Sequence, residues 1–475
     1  MVALIAGSSG IGVRSAPAPV PVSVDVALRD TESWIMGPSG FPIPPPWSLP
    51  AITDRFVDPP QPHFAGQPQF PVDAMNALFT PEGLYPIIAV KNLQFDQSVA
   101  QGLTILNATI DKQLGDGTNL VVVGYSQSST IGALEMRNLL ELPEADRPTA
   151  DQLSFVLLGS PSNPNGGFLE RFGDPSLPPL SMPTLGLTFS GAAPADTPWQ
   201  TAFYTTEYDG FADFPRYPIN VLADINAFLG IAFQHGAYPF LTDARLAAAV
   251  ELPVSADYTG ETRYFMIPTE HLPLLEPLRL LPLLGNPLAD LLEPDLRVLV
   301  NLGYGNIDNG WDSGPANLPT PYGLLPTDLN PADVLAALAN GAQQGVQDAL
   351  VGLGSLSNAF GSDAVTSPSP PLDTPTDPAS DLPTGLVDTF TKALATSYAT
   401  LLPTADIVSF LLTTLPAYNV SLVLGEVASG NLVDAVGLPI AADTGLLSLA
   451  MGFELRVISG ALSSIVADAQ HAFSF

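Results

Sequence analysis

The chain has 475 residues, of which 46% are hydrophobic and only 13% are charged. Its 15 basic and 47 acidic residues give a formal net charge of −32. A surface with this charge repels phosphates, which excludes nucleic acid as a partner. Because there is no cysteine, disulfides, thiolate nucleophiles and cysteine-based metal sites are excluded as well. Soluble domains carry about 25% charged residues. The composition therefore favours a protein that works near lipid or in a cell envelope, although a general Ala/Pro bias explains it equally well.

Residues 1–30 are predicted to be a separate leader segment. Residues 2–13 are apolar or small, and the run Arg-Ser-Ala-Pro-Ala-Pro at 14–19 is typical of a secretory cleavage region, although no basic segment comes first. A glycine turn at 6–12 is similar to a dinucleotide-binding loop, but prolines follow it where such a loop needs a helix. We therefore expect no nucleotide cofactor.

From residue 31 to about 325 the pattern is α/β. Strands are predicted at 34–36, 120–123, 155–158, 203–205 and 264–267, and helices at 99–114, 131–140 and 219–229. Strands that alternate with helices predict a mostly parallel sheet covered on both faces, with active groups on the loops after the strands. Residues 160–200, rich in Pro, Gly and Ser, show too little periodicity for a core element. They are predicted to be either a lid over the site or a plain surface insertion.

The last third of the chain is predicted to be mainly helical. A helical connector spans 326–360 and begins with Asn330 as cap and Pro331 in the first turn. An acidic Pro/Ser/Thr linker follows at 361–385, and apolar helical segments fill 386–475. The predicted breaks between these segments are at Pro403, Pro416 and Pro439. No uninterrupted apolar run reaches the roughly 20 residues of a transmembrane helix. We expect this region to pack on itself or on a partner, with peripheral membrane or envelope contact as the alternative.

The most informative segment is residues 124–128, with the sequence Gly-Tyr-Ser-Gln-Ser. It lies between a predicted buried strand and a predicted helix, which is the context of a G-x-S-x-G nucleophile elbow. Such a turn lifts one serine above the sheet edge, next to the positive end of a helix. We therefore predict that Ser126 is a nucleophile for acyl transfer. The motif departs from the pattern in its last position, where Ser128 replaces glycine.

A serine nucleophile needs an imidazole base and a carboxylate that orients it. Four histidines are available, and the order serine, acid, histidine that is typical of this fold excludes His63. His471 lies in the terminal helical region, and His235 follows a predicted helix instead of a strand. His271 follows a predicted strand directly, so we predict that it is the base.

The acid is expected on a loop after a strand between Ser126 and His271. Glu207, Asp209 and Asp213 cluster on one such loop. Asp209 is favoured because it precedes the turn residue Gly210, and Asp213 remains the alternative.

An oxyanion hole needs two donors beside the developing charge. The backbone N–H of Gln127, directly after the nucleophile, is expected to be one donor. The second is expected from the loop at 37–40, where Ser39 offers both an N–H and a hydroxyl. This chemistry needs no metal and no cofactor.

Four segments together resemble the PE-PPE domain of mycobacterial proteins. They are the elbow at 124–128, Tyr-Asp-Gly-Phe-Ala-Asp-Phe-Pro at 208–215, Ile-Pro-Thr-Glu-His-Leu-Pro-Leu-Leu at 267–275, and Asp-Leu-Arg-Val-Leu-Val-Asn-Leu-Gly-Tyr-Gly at 295–305. The resemblance covers roughly residues 31–325. It implies a cutinase-like α/β-hydrolase with serine esterase activity, secreted or held in the cell envelope. It also implies Ser126, Asp209 and His271 as the triad.

Three functions remain open at this point. The first is a serine esterase or lipase that hydrolyses short- to medium-chain acyl esters. The second uses the same acyl-enzyme to transfer the acyl chain to trehalose or to another glycolipid hydroxyl, as the resemblance implies for some family members. The third is a decayed hydrolase that binds envelope components through its apolar C-terminal region. All three imply a lipid or acyl-ester ligand.

Overall fold

The computed structural model describes residues 30–89, 91–173, 179–361 and 382–473. The predicted leader, with its glycine turn, and most of the predicted acidic linker lie outside the described residues. The domain boundaries proposed from the sequence remain a prediction.

A seven-stranded sheet forms the centre of the protein. Its strands are β1 (Thr31–Ile35), β2 (Ala74–Ala77), β3 (Asn119–Tyr125), β4 (Leu153–Leu158), β7 (Thr201–Thr206), β8 (Val250–Glu251) and β9 (Thr262–Ile267). Their order in the sheet is β2-β1-β3-β4-β7-β9-β8. All neighbouring strands are parallel except β8, which runs antiparallel to β9 at one edge. A separate antiparallel pair consists of β5 (Ser181–Met182) and β6 (Leu187–Thr188). The mostly parallel α/β fold predicted from the sequence is confirmed.

Helices cover both faces of this sheet, and further helices follow the α/β part along the chain. The helices of the α/β part are α1 (Ser48–Ile52), α2 (Phe95–Gly115), α3 (Gln127–Glu141), α4 (Phe168–Arg171), α5 (Val221–Phe233), α6 (Asp243–Ala247), α7 (Glu276–Arg279) and α8 (Gly285–Asn301). The helices after it are α9 (Pro331–Gly361), α10 (Leu382–Ala399), α11 (Leu401–Leu412), α12 (Thr414–Ser429) and α13 (Leu432–Phe473). The central strands are buried on both faces because helices pack on each side, which explains their continuous apolar runs. The mainly helical C-terminal region is also confirmed.

Residues 160–200 belong to the core in part, which corrects the expectation that they contain no core element. Phe168, Leu169, Phe172 and Leu180 are all buried and join the hydrophobic cluster formed by α2 and α3. The periodicity of this segment is weak because its buried residues lie on a short helix and in turns, and not on one long helical face.

The C-terminal helices share that same hydrophobic cluster. Phe410 of α11 and Leu446 of α13 are buried in it, and the Tyr85 hydroxyl donates a 2.5 Å hydrogen bond to Asp406 Oδ2. Helix α13 lies so close to the α/β part that a Cβ on Gly445 would be 2.9 Å from the ring of Phe172. The predicted packing of this region therefore takes place against the α/β part of the chain itself.

Two of the three predicted breaks, at Pro403 and Pro416, lie next to helix boundaries, and the third, at Pro439, is wrong. Pro403 and Pro416 lie in the first turns of α11 and α12, where a missing N–H is tolerated, and α13 continues through Pro439. Two stretches, Thr391–Ser429 and Leu432–Asp468, nevertheless have the length and composition of membrane-crossing helices. This corrects the expectation that no run is long enough, although the same helices bury one side against the α/β part.

Replacing Phe410 by alanine should lower the free energy of unfolding by about 3 kcal/mol or more, because it leaves a cavity in the shared cluster. Chemical denaturation followed by circular dichroism measures this change. Leu412→Ala on the same helix is the matched control, since Leu412 is 73% exposed and Phe410 only 1%. Equal effects of the two substitutions would show that the C-terminal helices do not share the core.

Candidate active site

Ser126 lies in a strained turn between β3 and α3. Its backbone has φ 61° and ψ −121°, a conformation that non-glycine residues rarely adopt and that is concentrated at functional sites. Gly124 makes the turn possible, since a Cβ there would lie 2.6 Å from Cα of Ser129. The absence of that side chain lets the start of α3 pack directly on the end of β3.

Ser128, the departure from the G-x-S-x-G pattern, stabilises the same turn. Its buried Oγ accepts a 2.8 Å hydrogen bond from the N–H of Tyr125 and donates a 3.0 Å bond to the carbonyl of Tyr125. Glycine could not make these two bonds. Serine at this position therefore stabilises the elbow through two hydrogen bonds that are absent when the residue is glycine.

Ser126, His235 and Asp209 form one hydrogen-bonded chain. His235 Nε2 lies 2.7 Å from Ser126 Oγ, and His235 Nδ1 lies 2.8 Å from each carboxylate oxygen of Asp209. Asp209 is fully buried and His235 is 8% exposed. This order of contacts allows the imidazole to take the serine proton while the carboxylate holds the ring and stabilises its cationic form.

The position of His235 depends on the end of α5. The backbone N–H of His235 donates to Gly230 O at 3.0 Å, and the Tyr125 hydroxyl donates to His235 O at 2.5 Å. A Cβ on Gly230 would lie only 1.7 Å from the carbonyl oxygen of Tyr208, so glycine allows α5 to lie against the loop that carries Asp209. The edge of the His235 ring meets the ring of Phe211, with centroids 4.8 Å apart.

Asp209 is held by neutral donors and is distinguished from Asp213 by its contacts. The N–H of Phe211 donates to Asp209 Oδ1 at 3.1 Å, and the Tyr238 hydroxyl donates to Asp209 Oδ2 at 2.9 Å. Asp213 instead accepts from the N–H of Tyr208 at 2.9 Å, and burial raises the pKa of Asp213 well above its usual range. Of the two acids considered from the sequence, only Asp209 contacts the imidazole of His235.

His271 lies away from this group, which corrects its assignment as the base. Its side chain is 42% exposed, and His271 Nδ1 lies 4.0 Å from Glu293 Oε2 on α8. Strand β9, which precedes it, is three positions from β3 in the sheet, a separation of roughly 14 Å at about 4.8 Å per strand. An imidazole cannot bridge that distance to Ser126.

The sequence disfavours His235 as the base because this residue follows a helix and not a strand. That criterion does not take into account that α5 packs on the loop that carries Asp209. His235 fits the chain order serine, acid, histidine as well as His271 does, and this order is the sequence feature that could have identified it. His63 lies elsewhere, with its Nε2 3.2 Å from the carbonyl of Asp54. The side chain of His471 lies outside the described part of the structure.

Ser39 and Gln127, predicted as oxyanion donors, lie beside each other near Ser126. Ser39 Oγ donates to Gln127 Oε1 at 2.7 Å, and Gln127 Nε2 donates to Ser98 Oγ at 2.8 Å. The backbone N–H of Gln127 is in the first turn of α3, where the helix supplies no acceptor and the partial charge is positive. The Gln127 N–H is therefore available to a developing oxyanion, whereas the Ser39 hydroxyl can donate to one only after it turns away from Gln127 Oε1.

An apolar cavity of about 40 Å³ opens beside Ser126, Gln127 and Ser39. Its other walls are Leu84, Tyr85, Phe95, Pro161, Phe168, Leu169, Leu185, Leu187, Phe211 and Phe453. Five of these residues come from the segment 160–200 and one comes from α13, so both regions contribute to the site. In the described ranges, no group of three or more His, Asp or Glu side chains is arranged to hold a metal ion.

The strand, elbow and helix, with a serine, histidine and aspartate in contact at the edge of a mostly parallel sheet, define a site of the α/β-hydrolase class. Residues 71–305 match the PE-PPE domain family. The chain is 42% identical to the PPE family protein PPE28 of Mycobacterium tuberculosis over 464 residues, which is 94% of this chain and 68% of the relative. The chain therefore belongs to the PE-PPE domain family.

Two further relatives from the same organism carry functional names. Esterase PE16 is 45% identical over 300 residues, which covers 63% of this chain but only 52% of that protein. Diacyltrehalose acyltransferase Chp2 is 27% identical over 273 residues, which covers 55% of this chain and 74% of that protein. The similarity thus extends to both an esterase and an acyltransferase.

His235→Asn should slow the covalent labelling of Ser126 by a fluorophosphonate by about 10³-fold or more, because the serine loses the acceptor for its proton. Labelling rates of the intact protein, measured by mass spectrometry, test this expectation. His271→Asn is the matched histidine control and should label at the wild-type rate. The assignment of the base would have to be reversed if His271→Asn were the slow variant.

Proposed function

We propose that the protein is a serine esterase that hydrolyses short- to medium-chain acyl esters through an acyl-enzyme. The observation that carries this proposal is the contact chain from Ser126 through His235 to Asp209, at the mouth of an apolar cavity. The match to the PE-PPE domain and the similarity to an esterase support it. The intact contacts weigh against a decayed hydrolase.

In the proposed reaction, Ser126 Oγ attacks the ester carbonyl carbon while His235 Nε2 takes the hydroxyl proton. The carbonyl oxygen becomes an oxyanion that accepts a hydrogen bond from the Gln127 N–H, and a second from the Ser39 hydroxyl once that hydroxyl turns from Gln127 Oε1. When the intermediate collapses, the alcohol oxygen takes the proton from His235 and leaves, and the acyl group stays on Ser126. Water, activated by His235 in the same way, then releases the acid and restores the serine.

Acyl transfer is the second candidate, and it differs only in what resolves the acyl-enzyme. The similarity to Chp2, and to a second relative named SL1278 acyltransferase Chp1, favours an acceptor hydroxyl in place of water. The kinship with mycobacterial PE and PPE proteins supports a location outside the cell or in the cell envelope. Trehalose or another glycolipid hydroxyl is the proposed acceptor for this alternative.

Ser126→Ala should lower the turnover of p-nitrophenyl butanoate by about 10⁴-fold or more, because the group that carries the acyl chain is removed. Ser154→Ala, a serine on the neighbouring strand β4, is the control and should retain turnover. Adding trehalose to the wild-type reaction distinguishes the candidates by mass spectrometry. Free butanoic acid alone supports hydrolysis, and acylated trehalose supports transfer. Undiminished turnover by Ser126→Ala would refute both.

Phe453→Ala should raise kcat/KM for p-nitrophenyl dodecanoate relative to the butanoate by about tenfold, because it removes an aromatic wall of the small cavity. Met451→Ala is the matched control, since Met451 is on the same helix but 66% exposed. The ratio of the two kcat/KM values is the measurement. An unchanged ratio in Phe453→Ala would mean that α13 does not limit the acyl chain.

A further inference from the structure

We propose that a second apolar pocket binds the hydrocarbon part of the alcohol half of the ester, so that the substrate is apolar on both sides of the bond that reacts. This inference rests on the proposed function and specifies its substrate class. The pocket has a volume of about 230 Å³. Its walls come from residues within 36–52, from Tyr125 and from residues within 236–240.

The pocket adjoins the reacting groups through three separate loops. Pro38 precedes Ser39, Tyr125 precedes Ser126, and Gly236 follows His235 in the chain. The segments that supply Ser39, Ser126 and His235 therefore also supply walls of this pocket, whereas the loop of Asp209 does not. No residue is shared between this lining and that of the acyl cavity.

The two pockets lie on different sides of the sheet edge. Phe168 and Phe453 of the acyl cavity belong to the cluster that α2 and α3 form on one face. Ile52 and Tyr125 of the second pocket belong to the cluster on the other face, with α1 and α6, while Met36 at the end of β1 belongs to the first cluster. An ester bound at Ser126 can therefore extend one half into each pocket.

The chemistry of the reaction decides which half each pocket receives. Ser126 and Gln127 both line the first cavity, so the acyl carbon that bonds to Ser126 Oγ lies at that cavity and we assign the acyl chain to it. The alcohol oxygen must reach His235 Nε2 to take its proton. The loop of His235 continues into Gly236, a wall of the second pocket, which is therefore on the alcohol side.

The exposure of the pocket's aromatic rings points to a ligand. Trp47 is 52% and Phe240 is 64% exposed, and their rings stack with centroids 5.1 Å apart. Phe41 is 51% exposed on the same rim. Ser48 is polar, but its hydroxyl already donates to Pro45 O at 2.8 Å. A lining of this kind offers contact to an aliphatic chain and few hydrogen-bond partners to a sugar or to water.

The test compares two butanoate esters that differ only in the alcohol. We expect wild-type protein to prefer hexyl butanoate to methyl butanoate, both dissolved below their solubility limits, in kcat/KM. The double variant Trp47→Ala/Phe240→Ala should lower that hexyl-to-methyl ratio by about tenfold or more. Tyr398→Ala, which removes an aromatic ring that is 74% exposed on α10, is the matched control and should leave the ratio unchanged.

A binding experiment separates this inference from the proposed function. Titrating Ser126→Ala protein with 1-hexanol should change tryptophan fluorescence, and adding Trp47→Phe should abolish that change. If no ester is hydrolysed but this binding persists, the proposed function fails and the pocket stands. If esters are hydrolysed but the double variant keeps the wild-type ratio, the pocket assignment is overturned. It is also overturned if the double variant differs only on emulsified ester, which would indicate contact with a lipid surface.

Discussion

The close packing of α5 on the loop after β7 is the constraint on which the site depends. Two glycines allow it: a Cβ on Gly230 would overlap the carbonyl of Tyr208, and a Cβ on Gly210 would lie 2.3 Å from the carbonyl oxygen of Ala227. Because the backbones approach so closely, the chain leaves α5 directly beside Asp209. His235 is then enclosed between the elbow and the acid loop, with both ring nitrogens in contact with polar partners. A bulkier residue at either glycine would separate the imidazole from the carboxylate.

The sequence predicted what local pattern determines. Apolar strands that alternate with helices predicted the sheet, and a strand followed by a glycine turn and a helix predicted the elbow at Ser126. The loop after β7 was identified as the source of the acid, and contact with His235 distinguishes Asp209 from Asp213. These features depend on neighbours in the chain, and so periodicity reveals them.

The parts that sequence reasoning missed depend on contacts between distant segments. Whether His235 or His271 reaches Ser126 depends on how the end of α5 packs on the loop that carries Asp209 and on the strand order, and no local motif predicts either. The core residues of 160–200, such as Phe168, gain their burial from α13 and from neighbouring rings. Pro439 was expected to end a helix, but α13 continues through it.

The C-terminal helices and the loop around Trp47 line different pockets in the proposed binding of the ester. Helix α13 closes the acyl side with Phe453, while the aromatic rim of Trp47 and Phe240 remains open on the proposed alcohol side. Large exposed apolar surfaces are uncommon on soluble proteins unless they bind something. In this account the exposed rings around Trp47 reflect a substrate with hydrocarbon on both sides of its ester bond.

The central claim is that Ser126, His235 and Asp209 act together, and a crystal structure of the protein inactivated by a phosphonate ester tests it most directly. The account predicts a covalent bond from Ser126 Oγ to phosphorus. It also predicts the phosphoryl oxygen within hydrogen-bonding distance of the Gln127 N–H and Ser39 Oγ, and His235 still in contact with Asp209. Phosphorus on another residue, or His271 beside the adduct in place of His235, would contradict it.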